Sequence, residues 1–178
     1  LTSVSCFNGS DAALDLTISG GTSPFEIILN EELYSSDGII TIESLSAQEY
    51  NISIVDASGC DFSSSFTITE PDSLAIETVI IDNVCFGQTN GSIFTNASGG
   101  ISPYSYTYTN SKGFTISEIN ISDNLSSGIY TITVSDSNDC VLVSDIEISE
   151  PAEILVSHEI TDESCIDANN GSIITTVE

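Results

Sequence analysis

The sequence predicts an all-β protein built from tandem immunoglobulin-like β-sandwich modules, about seven strands each, with a period of about 80 residues. Three observations support this class: an internal repeat, short segments in which apolar and polar residues alternate, and turn residues between those segments. Apolar residues at helical spacing occur nowhere in the chain.

The repeat is clearest in the cysteines. Cys6, Cys85 and Cys165 recur at intervals of 79 and 80 residues, and Cys60 and Cys140 are 80 residues apart. Other landmarks keep the same spacing: Ser19-Gly20-Gly21 with Ser98-Gly99-Gly100, Ser23-Pro24 with Ser102-Pro103, Leu45-Ser46 with Leu125-Ser126, and Glu70-Pro71 with Glu150-Pro151.

The copies meet at the Glu-Pro dipeptides, which therefore mark the predicted module boundaries. We predict a first β-sandwich repeat, without its first strand, at residues 1–71 and a second at residues 72–151. Residues 152–178 are either the start of a third repeat or a donor strand.

Strands are predicted where apolar and polar residues alternate with period two, as in residues 50–54 and 130–134. Tyr50 and Tyr130 each end a Leu-Ser-x-x-x-Tyr segment. We predict that each forms a tyrosine corner, with its ring packed inward and its hydroxyl bonded to the preceding loop. Tyr104, Tyr106 and Tyr108 share one face of a strand and are predicted core residues.

The five cysteines favour disulfides over a zinc site, because no CxxC pair is present to bring thiolates together. Cys6 with Cys60 and Cys85 with Cys140 are the predicted pairs, since each pair has the same place in its own copy. Buried free thiols are the alternative. Cys165 is left without a partner, and disulfides imply an oxidising, extracellular compartment.

The two ends of the repeat pattern differ. An apolar strand precedes the first cysteine of the later copies, at residues 74–81 and 154–160, whereas only residues 1–5 precede Cys6. One expectation is that the chain is a window on a longer array. The other is that residues 152–178 complete the first module of a second copy and build a head-to-tail filament, so the predicted partners are further copies or neighbouring repeats.

The charge balance is extreme, with 27 Asp and Glu residues against the single Lys112 and a formal net charge of −26. Nucleic acid is excluded as a partner, because neutralising phosphates requires clusters of Lys and Arg. No apolar run approaches the roughly 18 residues of a membrane-spanning helix, so no membrane insertion is expected.

Calcium is the one metal to consider in such an acidic chain, and no other cofactor is predicted. Asp56, Asp136 and Asp139 are the candidate ligands at the turns before the second cysteine of each copy, and Glu70 and Glu150 lie where modules meet. Their spacing does not match a known calcium loop, so plain turn chemistry is the favoured interpretation and calcium the alternative.

No catalytic residues and no enzymatic activity are predicted. The single histidine, His158, alternates with Val156 and Ile160 and is therefore assigned a structural role. The Gly-Gly pairs fall between strands rather than before a helix, so they do not form a phosphate-binding loop.

Glycosylation motifs are frequent. Asn-x-Ser/Thr occurs at seven positions: Asn8, Asn51, Asn90, Asn96, Asn120, Asn124 and Asn170. Asn51 and Asn120 lie between apolar residues of predicted strands, so their side chains should point outward.

The motifs taken together resemble the SprB repeat: a Cys-Phe start, a Ser-Gly-Gly-x-Ser-Pro centre, the Leu-Ser-x-x-x-Tyr strand and the Glu-Pro end. The resemblance covers essentially the whole chain. It implies export to the bacterial cell surface, tandem arrays, and adhesion or motility rather than catalysis. Ala12-Ala13 and Asp139 depart from the family pattern at turn positions. Asp72-Ser73-Leu74 resembles the O-glycosylation signal of bacteria that carry this family, which makes Ser73 a further candidate.

These observations predict a structural module of an extracellular bacterial adhesin, stalk or fibre. The alternative is an adhesion module for gliding or attachment that binds a polysaccharide or another cell surface. Ligand sites usually expose aromatic side chains on loops, whereas the aromatic residues of this chain mostly keep strand register, which favours the structural function.

Overall fold

The computed structural model describes residues 1–113, 115–117 and 119–178. Over these residues all regular structure is β-strand, and none of it is a helix that could cross a membrane. The strands form two modules and a terminal two-stranded ribbon.

The first module contains six strands: β1 (Ala12–Thr17), β2 (Phe25–Leu29), β3 (Glu32–Ser36), β4 (Ile39–Leu45), β5 (Gln48–Val55) and β6 (Asp61–Ile68). β1 pairs with β4, and the other four form a sheet in the order β3-β2-β5-β6. Inward residues of both sheets, among them Leu14, Ile27 and Ile52, belong to one buried cluster. The two sheets therefore pack face to face as a sandwich.

The second module contains seven strands: β7 (Ala75–Ile81), β8 (Gly91–Ser98), β9 (Ser105–Asn110), β10 (Thr115–Ser117), β11 (Ile121–Leu125), β12 (Gly128–Ser135) and β13 (Val141–Ile148). Its sheets have the orders β11-β8-β7 and β10-β9-β12-β13. Ile93, Tyr108 and Ile132 lie at the centre of its core. This architecture confirms the predicted class of immunoglobulin-like β-sandwich modules.

The predicted local features are also confirmed. The Tyr50 hydroxyl donates to the carbonyl of Ser46 at 3.2 Å, and the Tyr130 hydroxyl donates to that of Ser126 at 2.9 Å, with both rings buried. These are the two tyrosine corners. The three aromatic residues of β9 and the loop before it contribute to the core of the second module, and Tyr108 is fully buried.

The modules differ at one sheet edge. β8 has β11 on one side and β7 on the other, whereas its counterpart β1 has β4 on one side and, on the other, only the hydrogen bonds between Ala13 and Thr2. Accordingly, Leu16 and Ile18 near the end of β1 are only half-buried, whereas the corresponding residues Thr95 and Ala97 are buried. The first module thus presents a sheet edge that the second module covers with β7.

The terminal ribbon consists of β14 (Val156–Thr161) and β15 (Ser172–Val177), paired antiparallel. It repeats the β7–β8 hairpin, so β14 corresponds to β7 and β15 to β8 and β1. Both strands are exposed along their whole length. His158 lies on β14, where its Nδ1 atom is 3.2 Å from the Thr175 hydroxyl.

Candidate functional site at the module junction

The two modules are joined by a disulfide between Cys6 of the first and Cys140 of the second, with Cα atoms 5.7 Å apart. Cys60, Cys85 and Cys165 are free and exposed. The predicted pairing of Cys6 with Cys60 and of Cys85 with Cys140 therefore differs from the structure, in which the bond connects modules instead of closing each one.

The physical reason is that the two cysteines of one module lie at opposite ends of it. The amide of Val4 donates to the carbonyl of Thr69 at 3.2 Å, which holds the Cys6 loop at the point where β6 has ended. Cys60 directly precedes β6. An eight-residue strand is roughly 27 Å long, far beyond the roughly 4–7 Å between Cα atoms that a disulfide spans.

Each cysteine loop is held in place by the Glu of the following Glu-Pro dipeptide. The amide of Asn8 donates to a carboxylate oxygen of Glu70 at 2.5 Å, and the amide of Gly87 donates to Glu150 at 2.7 Å. The two glutamates are therefore loop-binding groups within their own modules. They hold the loops that carry Cys6 and Cys85.

The second cysteine of each module follows a buried aspartate. Asp136 accepts hydrogen bonds from the amides of Ile101, Asn138 and Cys140 at 2.8–2.9 Å. Asp56 accepts the corresponding bonds in the first module, from Thr22, Ser58 and Cys60.

The Gly-Gly motif lies directly against these carboxylates. Gly100 has a φ of 56°, and a Cβ atom there would lie 2.5 Å from an Asp136 carboxylate oxygen. Only glycine fits this approach and this backbone conformation without strain. The motif and the aspartate therefore form one unit that positions the second cysteine.

Hydrogen bonding keeps both aspartates ionised. The amides of Cys60 and Thr22 lower the pKa of Asp56. For Asp136, burial raises the pKa, but the amides of Ile101, Cys140 and Asn138 outweigh it and the net shift is downward. The carboxylate oxygens proposed as calcium ligands are thus engaged by the backbone.

The remaining calcium candidate, Asp139, is exposed on the same turn. Within the described part of the chain, no three Asp, Glu, His or Cys side chains come together in a group that could hold a metal ion. The structure therefore gives Asp56 and Asp136 a role in turn geometry.

A cleft of about 370 Å³ lies at the junction. One wall contains Cys6, Phe7 and residues 71–74, and the other contains Gly100 and residues 139–142. Across it, the Asn138 side-chain amide donates to the carbonyl of Ser5 at 2.9 Å. Leu74 packs against the core of the second module. A covalent bond and a side-chain hydrogen bond thus connect the two modules, and Leu74, at the start of the second module, lines the cleft between them.

The same chain carries two further halves of such a junction. Val84, Cys85, Phe86 and residues 151–154 line a second cleft and correspond to the first wall. Ile154, the counterpart of Leu74, is 75% exposed there. The first module carries the other wall around Cys60, where Phe62 is 59% exposed although its counterpart Leu142 is half-buried.

The glycosylation candidates lie at the surface. Exposed positions are Asn8, Asn51, Asn90, Asn96, Asn124, Asn170 and Ser73, and Asn120 is half-buried. Two of them also bind backbone: Asn90 Oδ1 accepts from the amide of Val84 at 3.3 Å, and Asn170 Oδ1 from that of Ser164 at 3.0 Å. A sugar on either would have to preserve that turn. Modification itself remains a prediction.

A shallow groove crosses the outer face of β2, β5 and β6 and is lined by Asn30, Glu31, Asn51, residues 63–65 and parts of β2 and β5. Its described lining contains no aromatic side chain.

The geometry defines the chain as a tandem pair of immunoglobulin-like sandwiches. It is similar to an amphioxus IgVJ-C2 molecule, with 12% identity over 80% of this chain and 97% of that chain and a TM-score of 0.39. Fibronectin(III)-like modules of Clostridium thermocellum CbhA give 16% identity, 83% and 90% coverage and a TM-score of 0.38.

A C-terminal 282-residue fragment of intimin, solved in complex with the intimin-binding domain of its receptor, has 17% identity over 88% of this chain and 64% of that chain, with a TM-score of 0.47. No curated protein matches the sequence. The SprB repeat family model matches residues 1–31 and 78–113, one segment in each module. In these two segments the chain is similar to the SprB repeat, in line with the resemblance of its motifs.

Sequence reasoning identified the junction cysteines but not their connection. No signal along the chain gives the pairing, because Cys6 lies beside the Glu-Pro end of its module only in the folded structure, while the other cysteine lies before the last strand. Modules in series place the end of one beside the start of the next, so the pairing crosses the boundary.

Proposed function

We propose that this chain is a structural segment of an extracellular bacterial adhesin, stalk or fibre, in which sandwich modules are joined end to end. The observation that carries the proposal is the junction itself, in which Cys6 and Cys140 covalently connect two SprB-type modules. A disulfide between folded modules restricts their relative motion, which suits a load-bearing stalk and requires an oxidising, extracellular location.

We further propose that chains assemble head to tail by strand complementation, with β14 of one chain pairing with β1 of the next. Ala13 shows which backbone groups of β1 point to the edge that is not paired with β4. Its carbonyl accepts from the amide of Thr2 at 2.9 Å, and its own amide donates to the Thr2 hydroxyl at 2.7 Å. Because these groups alternate along an antiparallel strand, the backbones of Asp15 and Thr17 point to the same edge.

The register follows from the complete module. Thr78 pairs with Thr95 and Ile80 with Ile93 between β7 and β8. Transferring these pairs to the corresponding positions places His158 beside Leu16 and Ile160 beside Leu14. The side of β14 that carries Ile160 would then cover the half-buried Leu16 and lie beside the buried Leu14, and main-chain hydrogen bonds would add affinity.

Analytical ultracentrifugation of the full chain tests this assembly. In about 1 M NaCl, where the Debye length is about 3 Å and the charge of −26 is screened, the mean mass should rise with concentration. Ile160→Asp should abolish the rise, because it places a charge against the apolar edge of β1. Ser157→Asp adds the same charge to the opposite face of β14 and should leave the assembly intact.

A wild-type chain that stays monomeric at every concentration would overturn strand complementation, as would equal assembly by the two variants. Circular dichroism is the control for folding, since Ile160 and Ser157 are both exposed and lie outside the two cores. Surface location has its own test: antibodies against the chain should label intact cells of the producing bacterium without permeabilisation. Labelling only after lysis would contradict it.

A further inference from the structure

We propose that the two unfilled halves of the junction bind each other between copies of this chain, and that Cys85 of one copy forms a disulfide with Cys60 of the next. The inference rests on the proposed head-to-tail assembly, because that arrangement places the first module of one copy beyond the second module of another. It adds a covalent connection and names the residues that make it.

The first argument is that both thiols are presented as the bonded pair is. Asp56 binds the amide of Cys60 at 2.8 Å, as Asp136 binds that of Cys140 at 2.9 Å. The other loop is held through Glu150 and the amide of Gly87, in the manner of Glu70 and Asn8. Each cysteine therefore already has the loop conformation that its bonded counterpart has.

The second argument is the exposed apolar surface on both sides. In the complete junction, Leu74 and Leu142 line the same cleft, and each is half-buried. Their counterparts Ile154 and Phe62 are 75% and 59% exposed. Bringing the two halves together would place Ile154 and Phe62 in one cleft, as Leu74 and Leu142 are, and would reduce the exposure of both side chains to water.

The third argument is that β15 can leave the position beside β14 that the incoming module needs. β15 corresponds to β1, so the incoming module takes the place of β15 beside β14. The ribbon can release β15 readily, because both of its strands are fully exposed and an isolated two-stranded hairpin is marginally stable in water. Displacing β15 also moves Cys165 away from the new junction.

The bond is formed by thiol–disulfide exchange with an external disulfide such as oxidised glutathione. The Cys85 thiolate attacks the reagent and releases one reduced thiol. The Cys60 thiolate then attacks the mixed disulfide and releases the second. Two thiols of the protein are oxidised, and the reagent accepts the two electrons and, with the solvent, the two protons.

The test uses the full chain in a glutathione redox buffer, followed by non-reducing electrophoresis and peptide mapping. The wild type should form a ladder of dimers, trimers and larger species that collapses on reduction, with a peptide linking Cys60 to Cys85. Cys60→Ser or Cys85→Ser should each abolish the ladder, and Cys165→Ser should preserve it. Mixing the Cys60→Ser and Cys85→Ser chains should give dimers and nothing larger, because that mixture supplies only one complementary pair.

A ladder that persists in either single variant, or one that requires Cys165, would overturn the inference. So would a Cys60–Cys85 bond formed within one chain. The Cys60→Ser/Cys85→Ser double variant separates this inference from the proposed function. If the double variant assembles reversibly in the ultracentrifuge but the wild type gives no ladder, the disulfide proposal alone fails. If neither occurs, head-to-tail assembly fails as well.

Discussion

The two modules have the same fold but different cores. At corresponding positions the first module places Leu16 and Leu29, whereas the second places Thr95 and Tyr108. The Tyr108 hydroxyl lies 2.7 Å from the Thr95 hydroxyl and 3.0 Å from the carbonyl of Asn120. One core is thus wholly aliphatic at a point where the other contains a buried hydrogen-bonded network.

This difference shows that the same fold accepts either aliphatic or hydrogen-bonded polar side chains at the centre of the sandwich. Both modules keep the tyrosine corner and the aspartate that binds the Gly-Gly loop, and these set the positions of the strands. A buried polar network is compatible with the fold as long as its members are paired. The second difference is at the edge, where β7 covers the second module and the first module is open.

The largest change in stability is expected when the disulfide between the two modules is removed. Cys6→Ser removes a disulfide with a sequence separation of 134, worth at most about 5 kcal/mol by loop entropy. Calorimetry should then resolve two transitions in place of a coupled one, because each module has its own core. Cys165→Ser is the control and should leave the thermogram unchanged; identical profiles for Cys6→Ser and wild type would mean that the junction does not couple the modules.

The next largest loss of stability is expected when the hydrogen-bonded network around Tyr108 is broken. Tyr108→Phe leaves the Thr95 hydroxyl and the Asn120 carbonyl without that partner, and it should destabilise the second module by about 1–3 kcal/mol. Urea unfolding in the Cys6→Ser background measures each module separately. Tyr34→Phe removes a hydroxyl that bonds to Glu32 at the surface and should change little. A larger loss from Tyr34→Phe would contradict the assignment of the network to the core.

The tyrosine corners should give a smaller and equal effect in both modules. Tyr50→Phe and Tyr130→Phe each remove a hydroxyl that makes two partly buried hydrogen bonds, to Ser46 and Ser126 respectively, so each should cost about 1 kcal/mol in its own module. The same urea experiment compares them. Clearly unequal losses in the free energy of unfolding would show that the tyrosine corner contributes differently to the stability of the two modules.

The last effect is a dependence of stability on pH that appears only in acid and concerns Asp56 and Asp136. Their pKa values are lowered in the folded protein, so the unfolded chain takes up protons first as the pH falls. The stabilisation is complete above the ordinary pKa of 3.8 and is lost as the pH falls from there through the folded-state pKa. Melting temperatures measured at decreasing pH should fall in that range. With both residues changed to Asn, that part of the pH dependence should disappear.

Features that depend on residues near each other in sequence could be predicted. The tyrosine corners are contacts between residues four apart, and strand alternation is a local property of the pleated backbone. The clustered aspartates make calcium a candidate beside the favoured turn chemistry, but a cluster in sequence does not reveal that backbone amides surround the carboxylates of Asp56 and Asp136. That information lies in the loops around Thr22 and Ile101, which come from elsewhere in the chain.

The sequence by itself determined the repeat, its period, the β-sandwich class and the cysteines that matter, because periodicity and motif spacing are written along the chain. Only the tertiary structure decided which cysteines meet. Cys6 and Cys60 have matching places in the repeat, yet the length of β6 separates them, while the end-to-end arrangement brings Cys6 to Cys140. A disulfide requires proximity in space, and proximity between modules depends on which end of each module faces the next.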